Sequence, residues 1–206
     1  MKAIPLWCAA CLTPALVGCN LFMPLAVMLP DTKKVPAEFA RLESRRVLVL
    51  VWAEPETLFD YPYVRLELAS YVGDKIRRGV PDSRLVSARK VEDFIQREPE
   101  AAHDPRRVGD QFEAEMVVYL ELLEFQIRDP QSPEFLQGRI RTSVRVYDVT
   151  GEADETSYYE LAEVEVAHPS QPVLYTLAGE SVIRRDTYLT FAERVARKFY
   201  DHEEAL

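Results

Sequence analysis

The sequence predicts an α/β (α+β) fold, a mixed sheet of about five strands with helices mainly on one face. Three observations lead to this prediction. A valine-rich apolar run at 45–53 is followed by a helical period, residues 135–167 alternate with a period of two, and an amphipathic pattern at 186–202 comes last. Strands that alternate with helices and are followed by long antiparallel strands are typical of this class.

The first strand is predicted at 45–53, where the chain reads RRVLVLVWA. A continuous apolar run of this length is typical of a central strand covered on both faces. A polar loop at 54–62 follows. Apolar residues then recur every three or four positions from Tyr61 to Ile76, which predicts an amphipathic helix ending near Gly79.

The middle of the chain predicts shorter elements and one long strand. A short strand is expected at 84–87 and a helix at 91–97, which Pro99 ends. Asp104 and Pro105 are typical of the start of a brief helix. The run MVVYLELLEFQI at 116–127 then predicts a long strand.

The alternation in 135–167 predicts an antiparallel hairpin. Its outer face is expected to pair an arginine row with two glutamates across the strands: Arg139, Arg141 and Arg145 with Glu163 and Glu165. An anionic glycan or lipid headgroup is the functional alternative for the arginines. Cross-strand ion pairs are the simpler explanation.

Length and charge limit the possible functions. The chain has 206 residues and a formal net charge of −9, so nucleic acid is an unfavourable partner. After the N-terminal segment the remaining length suits a single domain, which we place at 45–206.

The N-terminal segment carries no charged side chain from Ala3 to Gly18, after the single basic residue Lys2. It ends in Leu16-Val17-Gly18-Cys19, and all three cysteines lie within the first nineteen residues. This pattern resembles the lipobox signal peptide of bacterial lipoproteins. The resemblance implies a signal peptide at 1–18 that is removed, and acylation of Cys19 with palmitate-type chains.

Several further expectations follow from that resemblance. A lipidated N-terminus and tether would occupy 19–44 and hold the domain at a membrane. Asn20, where the enterobacterial retention rule would require aspartate, favours the outer membrane and a location facing the periplasm. An uncleaved transmembrane helix is the alternative, but four prolines interrupt the apolar run: Pro5, Pro14, Pro24 and Pro30.

A second resemblance rests on the first strand and helix, on EAEMVVYLELLEF and on RTSVRVYDV. These patterns resemble small α/β domains of envelope proteins: the N-terminal domain of the Tol-system periplasmic protein, the curli-secretion lipoprotein and the lipoprotein activator of penicillin-binding proteins. The resemblance implies a partner-binding domain of the cell envelope.

Catalytic and metal-binding patterns are weak. His103, His168 and His202 lie in separate segments without a second ligand at metal spacing, so we expect no metal. We also expect no cofactor and no catalytic residue, because neither a nucleophile elbow nor a phosphate-binding loop is present. Glu121 and Glu124 are expected on opposite faces of their strand. Glu113 and Glu115 are expected to be exposed at its start.

Aromatic residues give the better indication of a partner. Phe59, Tyr61 and Tyr63 surround Pro62, and Tyr158 and Tyr159 lie near the hairpin tip, so one tyrosine of each group should face solvent. Aromatic residues are enriched at protein interfaces. The alternative is that these rings cover the ends of the core with wet hydroxyls.

The sequence therefore favours a non-enzymatic, lipid-anchored envelope protein that assists or assembles another envelope protein. A hydrolase or ligand carrier acting on cell-wall material is one alternative, and it requires polar groups to converge in a pocket: for example Asp60, His103, Asp110 and Glu121. A structural lipoprotein that self-associates through an open sheet edge is another.

Overall fold

The computed structural model describes residues 32–128, 132–151 and 158–205. The predicted signal peptide, Leu16, Val17, Gly18 and Cys19 lie outside the described residues. Residues Lys34–Glu203 form one compact unit, and of the other described residues Thr32, Lys33, Glu204 and Ala205 belong to another.

The described residues of the larger unit contain a five-stranded mixed sheet with the order β3-β2-β4-β5-β6. The strands are β2 Arg46–Ala53, β3 Arg84–Leu85, β4 Met116–Arg128, β5 Phe135–Asp148 and β6 Tyr159–Leu174; β1 Thr32–Val35 and β7 His202–Ala205 form a separate two-stranded sheet. Strand β2 runs parallel to β3 and β4, whereas β4, β5 and β6 are antiparallel. The predicted fold class and the five-stranded mixed sheet are confirmed.

Five α-helices and one 3₁₀ helix are described with these strands. They are α1 Pro55–Asp60, α2 Val64–Gly79, α3 Ala88–Arg97, the 3₁₀ helix Pro99–His103, α4 Pro105–Gln111 and α5 Glu180–Arg197. The two long helices, α2 and α5, pack on one face of the sheet and form the main core with it. Alternate β2 residues Val47, Val49 and Val51 point into this core.

The other face of the sheet is covered only in part. Leu48 and Leu50 of β2 point to this side and pack with α3, the 3₁₀ helix and α4 in a smaller core. Strand β2 is therefore covered on both faces, as its continuous apolar run predicts. The second half of β4 and the first half of β5, which pair with each other, carry polar side chains on this face beyond the smaller core.

The segment at 54–62, predicted as a loop, contains α1. Pro55 occupies the first turn of this helix, where the missing N–H of proline removes no helical hydrogen bond. None of the six residues of α1 is buried. The polar composition that indicated a loop therefore comes from a helix that lies on the surface.

A β-bulge corrects the prediction that Glu121 and Glu124 lie on opposite faces. The register passes from Leu122 opposite Thr142 to Glu124 opposite Arg141, so Leu123 is an extra residue in β4. Glu121 lies opposite Ser143, two residues from Arg141 on β5. Since opposed residues share a face, the bulge places both glutamates on the polar face.

Two arginines of the row on β5 form ion pairs with carboxylates of β4. Arg145 lies 2.9 Å from Glu121 and Arg141 lies 3.7 Å from Glu124 in their ion pairs. Arg139 donates to the side-chain oxygen of Gln137 at 2.9 Å. The register places Glu165 directly opposite Arg141, as the predicted hairpin requires, but the carboxylates in ion-pair contact with Arg141 and Arg145 belong to β4.

The compact unit begins before residue 45, where the domain start is predicted. Phe39 and Leu42 are buried in the main core. The N–H of Ala37 donates to the Asp201 carboxylate at 3.0 Å, and Lys198 pairs with Glu38 at 2.8 Å. Residues 36–44, which the sequence places in the tether, therefore pack as part of the folded unit.

Candidate interaction surface

Two chain segments adjoin the end of the sheet where β4 finishes. Strand β5 starts and β6 finishes beside the end of β4, whereas β2 ends earlier, opposite Leu122. The segment that follows β2 forms α1 and the start of α2. The segment that follows β6 leads into α5.

The first of these segments exposes two of the predicted aromatic residues. The side chain of Phe59, in α1, is 86% exposed, and that of Tyr63, directly before α2, is 68% exposed. Phe59 also lines a small groove of about 430 Å³ with Pro55, Glu56 and Asp60. These rings are thus available to a partner.

Tyr61 lies between them and is held by the core. Its ring meets the Phe125 ring edge-on, with the centroids 4.6 Å apart. Burial raises the pKa of the Tyr61 phenol above its ordinary value. Tyr61 therefore anchors the segment that presents Phe59 and Tyr63.

The connection between β6 and α5 exposes further apolar side chains at this end. Leu177 is 79% exposed and Tyr175 is 55% exposed, with Leu174 and Val182 beside them in the chain. The Tyr175 N–H donates to the Glu134 carbonyl at 2.9 Å, and the Leu177 N–H donates to the Leu174 carbonyl at 2.9 Å. We call the exposed set the apolar end: Phe59, Tyr63, Leu174, Tyr175, Leu177 and Val182.

The charges around the apolar end are mainly negative. Exposed carboxylates occur in each flanking segment: Glu54, Glu56, Asp60 and Glu134. The nearby Arg128 pairs with Glu180 at 2.7 Å and donates to the Pro133 carbonyl at 3.1 Å. Arg184 and Arg185 follow Val182 on α5, and Arg185 pairs with Asp186 at 3.0 Å. The four exposed carboxylates outnumber Arg184, so the net charge of the rim is negative.

The second predicted aromatic group is divided between two structural roles. Tyr159 packs on Phe39 with centroids 5.1 Å apart, and the Arg41 guanidinium lies 4.3 Å from the Tyr159 ring centre. Tyr158 packs on Tyr147 at 5.4 Å, and Arg145 lies 5.4 Å from its ring centre. Both tyrosines remain partly exposed, but each is bound to neighbours in the fold.

The four residues suggested for a hydrolytic pocket do not converge. His103 and Asp110 line one open cleft of about 1030 Å³ with Arg106, Arg107 and Tyr147. Asp60 lines the groove beside Phe59, and Glu121 is paired with Arg145. The His103 ring also receives the Trp52 indole N–H at 3.4 Å. Only two of the four therefore share a site.

Within residues 32–128, 132–151 and 158–205, no cluster of three or more His, Cys, Asp and Glu side chains is arranged to bind a metal ion. In the same ranges no helix is both long and apolar enough to cross a membrane.

The comparisons with known proteins identify no family. No protein-family model and no curated protein matches the chain. Among solved structures, the chain is similar to the PelC dodecamer from Paraburkholderia phytofirmans, with a TM-score of 0.43 and 9% identity, covering 82% of this chain and 98% of that chain.

Two solved lipoproteins are similar to the same extent or less. Lipoprotein GNA1162 from Neisseria meningitidis gives a TM-score of 0.43 and 13% identity, covering 74% of this chain and 99% of that chain. A minor lipoprotein from Acinetobacter baumannii gives a TM-score of 0.35 and 14% identity, covering 77% of this chain and 92% of that chain. TM-scores this low identify neither a family nor a function, and the resemblance to the Tol, curli-secretion and penicillin-binding-protein activator groups stays a prediction.

Sequence reasoning named Phe59 and Tyr63 but missed the other four residues of the apolar end. The run PVLYTLAGE at 172–180 contains apolar residues without a helical or strand period, so it predicts no element and no surface. Its position beside the Phe59 segment depends on the sheet topology. The available signal was the set of large apolar residues between Pro172 and Gly179, too few to form a core of their own.

Proposed function

We propose that this chain is a lipid-anchored protein of the bacterial cell envelope, attached through Cys19 to the outer membrane and facing the periplasm. It acts without catalysis, as an accessory or assembly factor that binds another envelope protein. The observation that carries the proposal is the uncharged segment that ends in Leu16-Val17-Gly18-Cys19. Removal of residues 1–18 would leave Cys19 as the N-terminal residue available for acylation.

The binding role is supported by the ordered, exposed aromatic and aliphatic side chains of the apolar end. Such groups are costly to leave in water and are enriched where proteins meet. The non-enzymatic role is supported by the positions of Asp60, His103, Asp110 and Glu121, which lie in three different surroundings.

Intact mass and membrane fractionation test the anchor, with the wild type beside Cys19→Ala. We expect the wild type to lose residues 1–18, gain acyl mass and fractionate with the outer membrane, and the variant to keep its N-terminal segment. If both proteins keep residues 1–18 and remain in the membrane, the segment is a transmembrane anchor and the lipoprotein proposal fails. Cross-linking in cells that captures no envelope protein would contradict the accessory role.

A ligand-binding or hydrolytic role on cell-wall material is the second candidate. The cleft that contains His103, Asp110 and Tyr147 favours it, because aromatic and charged side chains line the same space. Calorimetry with purified muropeptides tests it, with His103→Ala and Asp110→Asn as variants. Binding that both substitutions abolish would support this candidate over the first.

Self-association through the sheet edge has less support. Strand β6 is the open edge, but the Glu38 carboxylate accepts from the Ala162 N–H at 3.2 Å and Arg194 donates to the Glu165 carbonyl at 2.6 Å. Pro169 and Pro172 remove two further donors from this strand. Light scattering of the concentrated protein is expected to show a monomer, and a growing oligomer would favour this third role.

A further inference from the structure

The apolar end is presented by ordered backbone, and this distinguishes it from scattered exposed residues. Tyr61 is fixed on Phe125, and on the other side the N–H groups of Tyr175 and Leu177 are hydrogen-bonded. The ion pair between Arg128 and Glu180 ties the end of β4 to the start of α5. A partner would meet side chains whose backbone is already in place, so binding would cost little ordering entropy.

The charges decide what kind of partner fits. Glu56 and Asp60 flank Phe59 on α1, Glu54 precedes the helix, and Glu134 lies beside the Tyr175 segment. Arg128 is engaged by Glu180 and Arg185 by Asp186, and the four carboxylates outnumber Arg184, so the rim presents net negative charge to an approaching molecule. Complementary positive charge would speed association with this end and would discriminate between partners.

Two other occupants are disfavoured by the same charges. In a twofold contact with a second copy, the same surface is used on both molecules, so the carboxylates of one copy would approach those of the other. A bilayer with anionic headgroups would repel the rim as well.

We propose that the apolar end docks a segment of a partner protein that combines aromatic or aliphatic side chains with lysine or arginine. Phe59, Tyr63 and Leu177 supply the apolar contact, and Glu56 and Asp60 pair with the basic residues. This inference rests on the proposed binding function and adds its location and the chemistry of its partner.

Selection from a displayed peptide library tests the proposal. The full-length protein is immobilised through a C-terminal tag in phosphatidylcholine nanodiscs, after the library has been depleted on empty nanodiscs. We expect the recovered peptides to combine apolar residues with lysine or arginine, and their binding to weaken as salt concentration rises. Recovered peptides without basic residues would overturn the proposal.

Variants locate the site. Two double variants should each lower the affinity for the tightest-binding peptide by at least about tenfold: Phe59→Ser with Leu177→Ser, and separately Glu56→Lys with Asp60→Lys. The exposed pair Arg89→Ser with Lys90→Ser on α3 is the matched control and should leave binding unchanged. Because every substituted side chain is exposed, thermal unfolding should be the same for all variants. Equal binding by wild type and both site variants would overturn the proposal.

Two parallel measurements address the other occupants. A dimer that Phe59→Ser with Leu177→Ser dissociates would assign the surface to a second copy and overturn the proposal. Binding of anionic phosphatidylglycerol vesicles through the same residues would overturn it in favour of a membrane. Fractionation of Cys19→Ala reports on the anchor independently, so failure of the anchor and failure of the docking surface give different results.

Discussion

Glu115 joins the starts of three strands through one carboxylate. Its oxygens accept from the Arg46 N–H at 2.7 Å and pair with Arg45 at 3.0 Å and Arg84 at 3.2 Å. The Arg46 N–H and the Arg45 guanidinium hold the pKa of the Glu115 carboxyl below its usual range. The sequence pattern placed this residue at the strand start as an exposed carboxylate, because its partners lie far away in the chain.

Replacing Glu115 by Gln should lower the free energy of unfolding by about 1 kcal/mol near pH 7, since a charge-assisted hydrogen bond and two surface ion pairs are lost. A pKa lowered by folding means that this stabilisation is present above the unfolded pKa and disappears as pH falls through the folded pKa. The difference between wild type and variant should therefore shrink in acid. Urea unfolding at several pH values measures it.

The control for this experiment is Glu113→Gln. Glu113 is exposed two residues earlier, and its backbone N–H donates to the Asp110 carbonyl without use of the carboxylate. We expect no change in stability at any pH. An equal loss in both variants would show that Glu115 acts through net charge alone.

The predicted partner residues differ in their exposure to solvent, although they are neighbours in the sequence. Phe59, Tyr61 and Tyr63 are equivalent as a sequence pattern, but Tyr61 points to the core and the other two point to solvent. The short helix α1 sets these directions. Its existence was not predicted, because a six-residue polar segment has no measurable period.

At the scale of elements, the limits of β6 and α5 show where local rules fail. Strand β6 continues to Leu174, past the predicted end at 167, although it contains Pro169 and Pro172. Proline is tolerated there because β6 is an edge strand and its outward N–H groups need no partner. Helix α5 starts at Glu180, earlier than the predicted 186, because its first turn packs through Ile183.

The packing of α5 on β5 leads to a prediction for Gly138. A Cβ at this position would lie 2.8 Å from the Cβ and Cγ2 atoms of Thr187, which is buried in α5. Gly138→Ala should therefore destabilise the fold by about 1–3 kcal/mol through overpacking. Combining it with Thr187→Ala should recover part of the loss. Thermal and urea unfolding of the two variants measure both effects.

Gly73→Ala in α2 is the matched comparison. Its new Cβ would meet Leu85 Cδ1 at 3.8 Å, an ordinary contact. An alanine inside a helix is better than glycine by about 0.5–1 kcal/mol, so this variant should be more stable than the wild type. A Gly138→Ala variant as stable as the wild type would contradict the close packing of Thr187 on β5.

At the scale of the whole molecule, the folded unit starts before residue 45, the start that the sequence predicts. Leu42 is 0% exposed and Phe39 is 6% exposed, so the segment before β2 closes the main core. Glu38 adds contacts with Lys198 on one side and the Ala162 N–H on the other. The sequence gives little sign of this, because two apolar residues among polar ones do not form a period.

Two N-terminally truncated proteins test this boundary. A chain that begins at residue 34 should unfold cooperatively, whereas one that begins at residue 45 should lose roughly 3 kcal/mol or more, because two large core side chains are removed. Urea unfolding followed by tryptophan fluorescence compares them. Equal stability of the two chains would return the boundary to 45 and make 34–44 part of the tether.

The sequence by itself determined the fold class, the continuous apolar β2, the long helices and the β5–β6 hairpin. Apolar periodicity is a local property, and a strand or helix that buries one face must show it. The sequence also determined the Cys19 prediction, which depends on a contiguous motif.

Tertiary structure alone decided which residues meet across the molecule. The bulge at Leu123 places Glu121 and Glu124 on one face and pairs the β5 arginines with β4. The Phe59 segment reaches the end of β4 through the contact of Tyr61 with Phe125, and the Leu177 segment reaches it through the ion pair of Glu180 with Arg128. Register and strand order depend on contacts between residues far apart in the chain, which no local pattern encodes.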